Sequence, residues 1–162
     1  TRHLAPRARS MIAVDAAASA LAINRDRVGN HEVEYVHADL YEWAPPPDQR
    51  FDLIFFAFLI SHILPERFEE FWDRLAGWLA PGGTVFFCDD VAGAEARRSD
   101  PGEAVDDGPS FAHRRRLHDG REYTIVKILY EPEDLGSRLA SLGWQADIRT
   151  TGEEFFYAVA RR

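Results

Sequence analysis

The chain has 162 residues, 46% of them hydrophobic and 28% charged, the profile of a globular domain long enough to bury a core. Its formal charge of -8 argues against a broad nucleic-acid footprint, and a single cysteine, Cys88, excludes an internal disulfide framework and suits a reducing, cytoplasmic compartment. The longest apolar run, Leu53 to Ile60, is far too short to span a bilayer, and no signal peptide is visible at the start.

The first strand is expected at Met11-Ile12-Ala13-Val14, closing on Asp15. Small and apolar residues ending in an acid suit a buried parallel strand whose carboxyl end faces a ligand crevice. An Ala- and Leu-rich helix follows over Ala17 to Val28, stopped near Gly29-Asn30. Val33 to Asp39 reads as a second short strand that also ends in an acid. Ala44-Pro45-Pro46-Pro47-Asp48 continues no regular element and marks a loop. Phe51 to Phe58 is an apolar run typical of a central parallel strand. Pro65 fits the first turn of a helix, and Phe68, Phe71, Trp72, Leu75 and Leu79 give it one apolar face. Ala80-Pro81-Gly82-Gly83 ends that helix and turns into a strand at Thr84 to Cys88.

Asp89 to Ser110 is nearly free of aliphatic residues and reads as a long surface loop. Phe111 to Leu117 and Arg121 to Tyr130 flank His118-Asp119-Gly120, a hairpin signal. A helix over Pro132 to Leu142 stops at Gly143, and closing strands are expected at Gln145 to Arg149 and Glu154 to Ala160. Their break at Thr151-Gly152 is too short for a helical crossover, so that pair should be antiparallel. The order predicts an α/β fold: a doubly wound, mostly parallel Rossmann-like sheet with an antiparallel last strand and an inserted β-hairpin. Residues 1–162 are read as a single domain, with 89–130 as a substrate-facing loop and hairpin insertion.

Four pieces, in this order and at these separations, carry a resemblance: Ile12-Ala13-Val14-Asp15, Val36-His37-Ala38-Asp39-Leu40, Phe51-Asp52-Leu53-Ile54 and Leu79-Ala80-Pro81-Gly82-Gly83. Over nearly its whole length the chain resembles the class I S-adenosylmethionine-dependent methyltransferase family. The resemblance implies S-adenosyl-L-methionine (SAM) as cofactor and methyl transfer to oxygen, nitrogen or carbon of a small molecule. It places Asp15, with Ala16 beside it, at the position that accepts hydrogen bonds from both ribose hydroxyls. A carboxylate matches a vicinal diol in geometry, and the local alternative is that Asp15 caps the following helix. Asp39 matches the acceptor for the adenine amino group, with the Leu40 N–H facing a ring nitrogen; the alternative is a solvated strand-end acid. Phe56, Ala57 and Phe58 lie where the family lines the methionine moiety, and burial in the core is the alternative for either Phe.

The glycine-rich turn that this family carries after its first strand is not found, since no glycine precedes Asp15. Either the turn was lost together with cofactor binding, or the given chain starts after it. The second is expected, with about 30 residues or more ahead of Thr1 by the size of one βαβ unit. His62, in Ser61-His62-Ile63, follows the fourth strand of the family pattern, where a catalytic or substrate-facing residue is common. Methyl transfer is an in-line displacement that needs alignment and, for a hydroxyl or ammonium acceptor, a base. An imidazole titrates near neutrality and suits that role; the alternative is a helix-leading His bonded locally.

No metal is expected. His113 and His118 with Asp89 and Asp90 lack a third ligand at a convincing spacing. The metal-dependent branch of the family needs an acid where this chain has Ala57 and Phe58. Arg114-Arg115-Arg116 is either an anchor for a carboxylate or phosphate on the substrate or a solvated edge. An exposed hairpin edge offers a route to a homodimer. Two alternatives stand beside the enzyme reading: a degenerate, non-catalytic binding domain, and an aminopropyl transferase of the same fold that would use Asp89 and Asp90 in an acidic pocket. A nicotinamide dehydrogenase fits the closing strands less well.

Overall fold

The computed structural model describes residues 1–29, 32–92, 103–104, 111–116 and 119–162. The chain divides into two compact units, Thr1–Asp48 and Gln49–Arg162. In the first, β1 (Ile12–Asp15), α1 (Ala18–Val28) and β2 (Glu34–His37) form one strand–helix–strand turn. β1 and β2 pair in parallel from Ile12↔Glu34 to Asp15↔His37. Gly29 stops α1 at φ 69°, a backbone angle that costs glycine little.

The second unit holds β3 (Phe51–Ala57), α2 (Phe68–Trp78), β4 (Leu79–Asp90), α3 (Pro132–Ser141), β8 (Gln145–Thr151) and β9 (Phe155–Arg161). Its sheet runs β3-β4-β9-β8, with β3 and β4 parallel and β9 antiparallel to both neighbours. The four expected parallel strands therefore exist as two parallel ladders, one per unit, and the closing pair is antiparallel as the short Thr151-Gly152 link requires. Alternation along the strands sends Phe56, Val85, Phe87, Phe156, Ala158 and Ala160 into the core, where they join Phe68, Phe71, Trp72 and Leu75 of α2 and Leu135 and Leu139 of α3. Trp72 lies at its centre, edge-to-face with Trp144 at 4.9 Å and Phe87 at 5.5 Å.

Three expectations need correction. The β3 run is apolar apart from Asp52, yet β3 lies at the edge of its four-stranded sheet, and Leu53 and Phe55 remain 48% and 41% exposed. Phe55 stacks along the sheet on Phe86 at 6.0 Å instead of under a second layer. The helix ends at Trp78, one residue before Leu79, which already pairs with Phe51. Pro81-Gly82-Gly83 then forms an irregularity inside β4, between the Phe51 and Leu53 pairings, and does not separate helix from strand. Finally, the stretch read as loop contains the end of β4 and a short strand, β5 (Glu103–Ala104). β5 adds to the expected hairpin β6 (Ala112–Arg116) and β7 (Glu122–Val126) as an antiparallel three-stranded sheet. Residues 93–102 and 105–110 of that stretch lie outside the described residues, as do Asn30 and His118.

The bulge explains why glycine stands at 83. A Cβ there would meet the Ala80 and Phe51 carbonyl oxygens at 2.9 Å and Leu79 Cδ2 at 3.1 Å. Two of these are backbone atoms that cannot swing away. Gly83→Ala should therefore destabilise the protein by about 1–3 kcal/mol, the usual cost of overpacking, read as a lowered urea midpoint at unchanged slope.

Candidate active site

In the first unit, Asp15 and Asp39 come to the same end of the β1–β2 pair. The Ala38 N–H donates to the Asp15 carbonyl oxygen at 3.2 Å, and Asp15 faces His37 across the ladder, two residues before Asp39. Both carboxylates are exposed and both close a local turn. Asp15 Oδ1 accepts the Ala17 N–H at 2.8 Å, just ahead of α1, and Asp39 Oδ1 accepts the Tyr41 N–H at 2.7 Å. Asp15 is therefore not the cap of α1, whose N-cap is Ala17 with no side-chain cap bond; it closes the turn ahead of the helix and uses one oxygen of two. Ala16 is fixed through its carbonyl oxygen, which accepts from His37 Nε2 at 3.0 Å. Leu40 is half-buried beside Asp39.

In the second unit, the three residues at the end of β3 differ. The Phe56 ring is buried, stacked on Phe87 at 5.1 Å and edge-on to Phe71 at 5.5 Å. Its side chain belongs to the core, so only its backbone could face a ligand. Ala57 is exposed and pairs with Cys88. Phe58 carries the only positive φ among the described non-glycine residues, 54°, while 46% exposed. Its N–H donates to the Cys88 carbonyl at 2.9 Å, and its ring sits edge-on to Phe155 at 5.9 Å. A bulky residue held in the left-handed region is strain that the surroundings must sustain, and such strain concentrates at functional positions.

His62 closes the short 3₁₀ turn Ile60–His62 that follows β3. Ile60, Ser61 and Ile63 are buried, while the imidazole is exposed. Its Nδ1 donates to the Val126 carbonyl oxygen at the end of β7. A carbonyl only accepts, so Nδ1 carries a proton, and in the neutral form of the ring the lone pair is at Nε2. Under Ser61 lies a polar cluster that the sequence reading missed. Asp89 and Asp90, 1% and 2% exposed at the end of β4, both meet the ammonium of Lys127, itself 5% exposed. Lys127 Nζ donates to Asp90 Oδ2 at 2.8 Å, Ser61 Oγ at 3.0 Å and Asp89 Oδ1 at 3.4 Å. Asp89 also accepts the Ser61 N–H at 3.1 Å and the Asp90 N–H at 2.9 Å. These acids are held by a cation of the protein itself, so they offer no open acidic pocket for a polyamine. The one signal for Lys127 in the sequence is a single charge inside the apolar run Ile125 to Tyr130.

Two further groups near this end of β4 are held neutral. Burial, aided by the Asp89 charge, pushes the half-buried Cys88 thiol up, away from the thiolate a nucleophile needs. Burial likewise raises the Tyr130 phenol, against a smaller opposing effect of Arg138. On the hairpin, Arg116 and Arg121 are engaged on the surface with Glu122 and Asp119. No group of three or more His, Cys, Asp or Glu among the described residues is placed to hold a metal ion.

A parallel β1–β2 pair followed by exposed carboxylates, a parallel β3–β4 pair and an antiparallel closing pair fit the class I, Rossmann-like α/β architecture. The chain belongs to the S-adenosylmethionine-dependent methyltransferase family, whose methyltransferase-domain model matches residues 1–83. It is similar to DhpI along almost its entire length. It is 35% identical to DhpI in a complex with SAM and HEP, covering 99% of this chain and 72% of that one at a TM-score of 0.82. The DhpI–SAH complex gives 34% identity, 99% and 69% coverage and a TM-score of 0.80. The alpha N-terminal protein methyltransferase 1 of Caenorhabditis elegans is 35% identical over 74 residues, 46% of this chain. The chain spans 30% of the length of that relative. No described helix is long and apolar enough to cross a membrane.

Proposed function

We propose that the protein transfers the methyl group of SAM to an oxygen, nitrogen or carbon of a small molecule in the cytoplasm, with His62 as general base. The observation that carries the base assignment is the His62 ring itself: exposed, pinned through Nδ1 by Val126, with the Nε2 lone pair left for an acceptor proton. Asp15 holds the ribose diol and Asp39 the adenine amino group, with Ala16 and Leu40 flanking them. In the second unit, Ala57, Phe58 and the Phe56 backbone serve the methionine end. For the small acceptor, the support is the likeness to DhpI along 99% of the chain, in a complex that holds SAM together with HEP. The likeness to the protein methyltransferase spans only 46%. Neither nucleic acid nor membrane is a partner in this reading, and the outer edge of β7 is open to homodimer pairing.

The test is calorimetric binding of SAM to the intact protein, followed by an acceptor screen read as released S-adenosylhomocysteine. Asp15→Ala should weaken SAM about 10- to 100-fold, the scale of losing hydrogen bonds to a charged group. Asp39→Ala should weaken it less, because one donor is lost instead of two. Wild-type affinity in Asp15→Ala would remove the ribose assignment.

A further inference from the structure

The segment 126–128 grips the Ser61–His62 turn at three points. The Val126 carbonyl accepts from His62 Nδ1, the Ile128 N–H donates to the Ser61 carbonyl at 2.7 Å, and Lys127 Nζ donates to Ser61 Oγ at 3.0 Å. Outside this grip, the Lys127 N–H donates to the Phe111 carbonyl at 2.8 Å, tying the same segment to the far side of the hairpin. We infer that Lys127 is a positioning residue for His62: its buried ammonium, held by Asp89 and Asp90, fixes the register of segment 126–128 so that the Val126 carbonyl meets Nδ1 and Nε2 points outward.

The cluster suits this role better than direct contact with a ligand. The Lys127 side chain is 4% exposed and already serves three acceptors, so a ligand would have to displace one of them. An apolar side chain of similar length would also fill the space, but it would accept many arrangements. Two carboxylates and a hydroxyl around one ammonium accept very few. A one-residue slip of 126–128 would turn the Lys127 side chain away from Asp89 and Asp90 and leave both buried charges without their cation. The importance of this for catalysis rests on the proposed base role of His62; the anchoring does not.

The experiment reads the His62 tautomer by nitrogen-15 NMR of the imidazole in the intact protein, at a pH that keeps the ring neutral and with His62→Ala to assign the signal. Wild type should show the proton on Nδ1. Two variants break the anchor in different ways. Lys127→Met with Asp90→Asn removes one charge of each sign, and Ser61→Ala removes only the hydroxyl link. Each should move the population toward the Nε2–H form that an unrestrained imidazole prefers, and kcat should fall about 10- to 100-fold, as when an orienting partner is lost, at unchanged SAM affinity. Should one variant fail to fold, the other decides. A wild-type ring protonated on Nε2, or Nδ1–H retained in the folded variants, overturns the inference. A changed tautomer with unchanged kcat upholds the anchoring and overturns the base role instead.

Discussion

Lys127→Met alone should destabilise the protein by about 3–5 kcal/mol, the scale for breaking a buried ion pair by removing one partner. Asp89 and Asp90 are almost wholly out of water, and Lys127 supplies the cation that both share. Asp89 keeps two backbone N–H donors when Lys127 is gone, whereas Asp90 loses the 2.8 Å ammonium contact that satisfies its Oδ2. Adding Asp90→Asn should therefore recover part of the loss, because a neutral amide is far cheaper to bury than a carboxylate that has lost its cation. By contrast, Arg149→Ala removes an ion pair to Asp147 in which both side chains are more than half exposed, and the unfolding midpoint should hardly move. Urea unfolding of the four proteins settles the comparison; a Lys127→Met midpoint as high as wild type would mean that the cluster does not hold the fold.

His62→Ala should lower kcat by about 10²–10⁴-fold with SAM affinity nearly intact. The base must be neutral to accept a proton, so activity carried by His62 falls as pH drops and the ring becomes protonated. The wild-type profile of kcat/KM should show that acidic limb, and the mutant should lack it. Acceptor chemistry decides the size of the effect. A phenol or carboxylate already ionised at working pH needs no base, and a carbon acceptor sheds its proton after transfer. In those cases His62 only orients the acceptor, the loss is smaller, and the two profiles run parallel. Parallel profiles remove the base assignment.

Most of the fold was legible because its signals are local. β1, α1, β2, α3 and the closing pair fall within one or two residues of their expected bounds, marked by composition, periodicity or a stop such as Asp15, Gly29 or Gly143. By contrast, α2 starts at Phe68, after a 3₁₀ turn at Pro65–Arg67 where its first turn was expected. The misreadings share a cause, since each depended on tertiary contacts. The apolar β3 run looked central, yet hydrophobicity cannot say which strand lies beside it. Pro81-Gly82-Gly83 looked like punctuation, but parallel pairing of Leu79 with Phe51 drew it into the strand as a bulge. The places of Asp15, Asp39 and His62 in the fold were legible because strand ends and their followers are predictable; the roles assigned to them are the proposal. Lys127 was not, because its partners lie 37 to 66 residues away in sequence and a lone lysine between apolar neighbours carries no periodic signal. Asp89 and Asp90 were noticed as acids, but only the fold reveals the cation that holds them.

The most direct test of the account is titration of the intact protein with SAM by calorimetry, repeated in the presence of S-adenosylhomocysteine and with Asp15→Ala. One saturable site per chain, competed by S-adenosylhomocysteine and weakened about 10- to 100-fold by the substitution, is the predicted result. No heat of binding from a folded wild-type protein would contradict it and leave a methyltransferase fold without its cofactor.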